Sequence, residues 1–128
     1  MSYYFSKILN ISFDDAVARV TTELNKKGFG VLTEIDVREA LKKKLDVNFK
    51  KYKILGACNP FFAYKALQME DKIGTMLPCN VIVQEISEGV VEVAAIDPIA
   101  SMQVVDNAEL RSVAEQVQAL LQKMVEAL

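Results

Sequence analysis

The run N-V-I-V-Q-E-I at residues 80–86, the turn S-E-G at 87–89 and the run V-V-E-V-A-A-I-D at 90–97 read as two β-strands joined in a hairpin. Both runs are rich in β-branched residues, and a three-residue connection closing on Gly89 suits a tight turn between antiparallel strands. Asp97-Pro98 stops the second strand, because proline has no N–H for the ladder, and a loop is expected after it. The hairpin is the most strand-like part of the chain, and the elements on either side are arranged about it.

Immediately upstream, Tyr52–Pro60 reads Y-K-I-L-G-A-C-N-P and Leu77–Val81 reads L-P-C-N-V. The stretch from Tyr52 to Pro98 thus holds both cysteines and all three prolines. Cys58-Asn59 and Cys79-Asn80 each touch a proline, and each stands where an apolar strand pattern ends or begins. Asn59 before Pro60 reads as an N-cap followed by the first helical position, where a missing N–H costs nothing. The apolar positions of that helix, Phe62, Ala63, Ala66, Leu67 and Met69, give way at Glu70-Asp71. Ile73, Met76 and Leu77 form a shorter patch broken by Gly74 and ended by Pro78. Two geometries follow. One continuous helix would hold the cysteines more than ~20 Å apart, given its rise of ~1.5 Å per residue. A fold-back at Glu70-Asp71 returns both to one edge of the sheet, where they could share a metal or a disulfide.

Further out, Tyr3 to Ile11 reads as a strand with Tyr3, Phe5, Tyr4 and Ile8 divided between its faces. Ser12 caps a helix over about Phe13–Lys27, with Phe13, Ala16, Val17, Val20 and Leu24 inward, acids in the first turn and Gly28 closing it. Phe29 to Val37 alternates, with Val31, Thr33, Ile35 and Val37 on one face and Leu32, Glu34 and Asp36 on the other. Arg38–Leu45 is expected as a short helix with Leu41 and Leu45 inward and Lys42-Lys43-Lys44 solvated. Phe49–Ala57 is a strand weakened by its lysines and by Gly56. Asp106 with Glu109 resembles a capping box at the start of the last helix. In that helix Leu110, Val113, Ala114, Val117, Leu120, Leu121, Met124 and Leu128 form the inner stripe, while Glu115, Gln118, Gln122 and Glu126 face out. The order β-α-β-(short α)-β-α-β-β-α predicts an α+β fold. One mixed, largely antiparallel sheet carries the longer helices on one face, leaving the other as a ligand floor or a dimer interface.

Composition bounds the function. The 128 residues fit a single domain, 1–128, and 52% hydrophobic residues suffice for a core. A formal charge of -2 gives no electrostatic footprint for nucleic acid. No run approaches the ~20 apolar residues that span a bilayer, and the first residues lack the pattern of a secretory signal. A soluble cytoplasmic protein without membrane or nucleic-acid partners is expected, with both cysteines as free thiols. The chain has no histidine, which removes the commonest general base and metal ligand.

Y-K-I-L-G-A-C-N-P at 52–60, A-Y-K-A-L at 63–67, L-P-C-N-V at 77–81 and V-A-A-I-D-P at 93–98 together resemble the bacterial and archaeal family called domain of unknown function 302 (DUF302). More loosely the resemblance takes in the first helix and E-I-D-V before Arg38, and so nearly the whole chain. It implies a small α+β fold similar to the TATA-binding-protein arrangement, one sheet with helices on one side, and a homodimer. The family often has a second proline and a histidine where Phe61 and Tyr64 stand here, so no metal or acid–base role for that histidine carries over.

No motif specifies a reaction or a cofactor. The candidate ligand-binding residues are Cys58, Asn59, Cys79, Asn80, Glu34, Asp36 and Asp97, and no residue is assigned as a metal ligand. Cys58 precedes a helix N-terminus, whose positive end can lower a thiol pKa, although a cysteine ending an apolar strand is also an ordinary core residue, as is Cys79. Asn59 reads as a cap, whereas Asn80, an asparagine opening an apolar strand, could bond the backbone of the preceding turn or a ligand. Glu34 and Asp36 share a strand face as an acid pair, as cation ligands or as a solvated edge. Asp97 reads first as a strand terminator, and its acid could also meet the Asn80 neighbourhood across the hairpin. The favoured expectation is a dimeric module binding a small ligand or a metal in a Cys/Asn-lined cleft. The alternatives are a thiol-dependent redox or sulfur-transfer enzyme, and a protein-interaction domain without chemistry.

Overall fold

The structure, a computed structural model, describes residues 2–128. Its strands are β1 (Tyr4–Leu9), β2 (Gly30–Asp36), β3 (Tyr52–Cys58), β4 (Cys79–Ser87) and β5 (Val90–Ile96). They form one sheet in the order β1-β5-β4-β3-β2. Every neighbouring pair is antiparallel, so there is no parallel pair among the described residues. The β4–β5 hairpin lies at the centre, in register through Val81↔Ala95 and Val83↔Val93, with a shift between Glu85 and Ser87.

Alternation along the strands divides the sheet into a core face and an open face. Val81, Val83, Val91, Val93, Ala95 and Leu55 are fully buried on the first. Their cover is α1 (Phe13–Lys26) and α5 (Ala108–Glu126), which set Phe13, Ala16, Val20 and Leu24 and Leu110, Val113, Val117, Leu121 and Met124 into one continuous core. Ser12 Oγ accepts from Asp15 N–H at the start of α1, and Gly28, at φ 84°, follows its end as the expected left-handed residue. No polar or charged residue is buried among the described residues. No helix there is long and apolar enough to cross a membrane.

Several elements depart from the sequence reading, each for a local reason. In β2 the register shifts between Val31 and Thr33. This bulge turns Leu32 out, 68% exposed, so Val31 lies opposite Ala57 on the core face while Thr33 and Ile35 lie on the open one. Glu34 and Asp36 do share a face, but it is the outer margin of the core face, opposite Leu55 and Lys53. The short helix α2 (Val37–Leu45) buries no residue, and Leu45, expected inward, is exposed. Helix α3 (Pro60–Met69) ends where Glu70 turns extended, φ -150° and ψ 100°, and a 3-10 helix, Asp71–Met76, folds back to bury Ile73. The Glu70-Asp71 break is therefore a chain reversal. The expected loop after Pro98 contains a short helix, α4 (Pro98–Met102), capped by Asp97. Asn107, rather than Asp106, caps α5: its Oδ1 accepts from Glu109 N–H and Leu110 N–H, leaving Asp106 exposed. Gln118 does not face out, for its amide donates to both oxygens of Asp97 at 3.1 and 3.2 Å.

Candidate functional site

The fold-back brings the cysteines to one end of the sheet. Ala57 pairs with Cys79 across β3 and β4, and Cys58 and Cys79 line the same cavity beneath α3, with Phe62, Ala66, Pro98 and Met102 among its other walls. That cavity measures about 30 Å³, far below the ~300–1,000 Å³ of small-molecule sites. Both thiols are free. Burial pushes the Cys58 thiol up from its ordinary value, and it pushes the more deeply set Cys79 up to about 11, with the neighbouring Cys58 adding to the effect. Desolvation thus moves Cys58 in the direction opposite to the one expected of a helix N-terminus. Among the described residues no group of three or more His, Cys, Asp and Glu is placed to hold a metal ion.

Asn59 is a structural tie at this end. Its Oδ1 accepts from Phe62 N–H at 3.4 Å at the start of α3, and its Nδ2 donates to Lys27 O at 3.5 Å, just beyond α1. Gly28 lies so close that an added Cβ would stand 3.1 Å from Asn59 Nδ2. The remaining carboxylates are also held by the fold. Glu34 pairs with Lys53 at 2.7 Å, and this bond is the main cause that raises the Lys53 pKa. Asp36 caps α2 by accepting from Glu39 N–H at 2.9 Å. Asp97 accepts from Ile99 N–H at 3.0 Å and from Gln118.

Asn80 stands apart from these residues. Exposed on the open face, its side chain makes no hydrogen bond among the described residues, and it lines a hollow of about 330 Å³. Ile82 and Ala94, opposite each other on β4 and β5, are at its centre. Tyr52, Gln84 and Glu92 form a row across three strands on one side, and Tyr4, paired with Ile96, stands on the other. Gln84 Nε2 donates to Glu92 Oε1 at 2.7 Å, fixing the carboxylate against the sheet. Tyr4, Tyr52, Gln84 and Glu92 were absent from the sequence candidates. The signal was the hairpin's own alternation, since the residues between its buried valines must face away from the core, and a carboxamide and a carboxylate fall opposite each other there.

The candidate residues other than Asp97 therefore occupy three places: Cys58, Asn59 and Cys79 at the closed cysteine end, Glu34 and Asp36 at the β2 margin, and Asn80 in the open hollow. Asp97 belongs to the α4–α5 joint. The crystal structure of an uncharacterized conserved protein DUF302 from Bacillus stearothermophilus is similar, with a TM-score of 0.90 and 23% identity over 98% of each chain. At that identity the likeness concerns the fold. No curated protein matches the chain in sequence. The family described as Domain of unknown function DUF302 matches residues 5–128, in keeping with the motifs at 52–60, 63–67, 77–81 and 93–98, and the chain belongs to that family.

Proposed function

We propose that the domain is a non-catalytic binding module that takes a small molecule in the hollow on the open face of its sheet. The observation that carries this reading is the combination of size and lining. About 330 Å³ falls within the ~300–1,000 Å³ of small-molecule sites, which pair an apolar surface with a few placed polar groups. Ile82, Ala94 and Ile96 supply the first here, and Asn80, Gln84 and Glu92 the second. The cysteine end gives less support, because its cavity measures only about 30 Å³ and its thiols are held toward the protonated form. A thiolate enzyme needs the opposite shift. The test is a fragment screen followed by amide chemical shifts on the full chain. Hits are expected to move the amides of Asn80, Ile82, Gln84 and Glu92, whereas hits that cluster at Cys58 and Phe62 would overturn the reading.

A second reading, pairing of two copies through the same face, is favoured by the apolar side chains that face leaves exposed, Tyr4 at 41%, Ile8 at 52% and Ile35 at 49%. The family resemblance also implies a homodimer. Sedimentation velocity separates the two readings: a dimer through this face loses stability on Ile8→Lys, while a monomer is unaffected.

A further inference from the structure

Among the residues lining the hollow, Glu92 is the one charged side chain, and no lysine or arginine stands among them. Three tyrosines do, Tyr3, Tyr4 and Tyr52. Tyr3 and Tyr4 meet edge to face, their centroids 5.1 Å apart and their planes at 77°. The face of an aromatic ring is the negative side of its quadrupole. Three tyrosine rings and one carboxylate, with no cationic side chain among the lining, therefore give the hollow a negative character over an apolar floor. We propose that the ligand is an organic ammonium ion, a positively charged nitrogen on a small apolar body; this rests on the hollow being the binding site. The nitrogen sits by Tyr52 and Glu92, with the carboxylate held in place by Gln84, and the body crosses Ile82 and Ala94 toward Tyr4. Ring faces attract such cations most strongly once water is excluded, and the apolar floor of Ile82, Ala94 and Ile96 contributes to that exclusion.

The test compares choline, its neutral carbon isostere 3,3-dimethylbutan-1-ol and the anion 3,3-dimethylbutanoate, followed by amide shifts on the full chain. Choline is expected to bind about tenfold more tightly than the alcohol, the scale of a partly desolvated cation–π contact. Glu92→Gln, which keeps an oxygen acceptor for Gln84, is expected to weaken choline by roughly five- to tenfold and leave the alcohol unchanged. Tyr52→Phe preserves choline binding and Tyr52→Ala removes it. If the alcohol or the anion moves the hollow amides as readily as choline does, or if Glu92→Gln changes nothing, the ammonium assignment is overturned and the hollow remains the site. If none of the three moves those amides, the ammonium assignment is overturned, and the site itself is decided by the fragment screen.

Discussion

Gly56 has no space for a side chain. A Cβ there would land on Thr33 Oγ1 and come within 2.8 Å of Pro78 Cγ, so the residue lets β2, β3 and the Pro78 corner close together. Gly56→Ala is expected to cost about 1–3 kcal/mol by overpacking, measured by urea denaturation. A glycine inside a strand often marks such a close approach, and in the sequence it looked only like a weakness. At the cysteines, alkylation at neutral pH is expected to be slow for both thiols and slower for Cys79 than for Cys58, in line with their burial. The pH dependence has a definite sign. Folded Cys79 keeps its proton up to about 11, whereas the unfolded thiol loses it near its ordinary value. Between those limits the native state binds more protons, and stability falls as pH rises. Cys79→Ala should show a shallower alkaline decline than the parent protein in denaturation series across that range, and an unchanged slope would count against the burial of this thiol.

Among the elements, α5 depends on a joint that the sequence placed one residue early. Asp106 with Glu109 has the spacing of a capping box, yet Asn107 makes the cap, and its Nδ2 also donates to Met69 O at 3.1 Å, fastening α5 to the end of α3. Removing this side chain affects two helices together. Asn107→Ala should cost about 1–2 kcal/mol, while Asp106→Ala, at an exposed position, should remain within about 0.5 kcal/mol. Thermal or urea unfolding of the pair checks both expectations. The elements with strong periodicity, α1, α5 and the β4–β5 hairpin, were legible because their buried stripe is long enough to outweigh local accidents. The misread parts, the inward placement of Leu45 on α2, the α4 turn and the Leu32 bulge, are short, and tertiary contacts decide them. No residue spacing distinguishes Thr33 beside Gly56 from Thr33 in a regular ladder.

For the whole molecule, the sheet order puts the hairpin first read from the sequence at the centre and two strands distant in sequence, β1 and β2, at the edges. Hydrogen exchange should follow this arrangement. The amides of β4 and β5 beneath α1 and α5 are expected to exchange last, and those of α2, which buries nothing, first; rapid exchange in β4 would contradict the one-sided core. The candidate site was less legible than the fold. Proximity in sequence grouped each cysteine with its asparagine, but adjacent strand residues point to opposite faces, so Cys79 faces the helices and Asn80 the open side. The one-sided packing has a consequence for how the surface can change over time. Since the large core side chains lie on the helix face, positions such as Asn80, Ile82, Gln84 and Glu92 contribute comparatively little to the folding free energy. Lineages sharing this scaffold are then free to rewrite those positions, and so to acquire different specificities, without first having to re-engineer the fold that displays them.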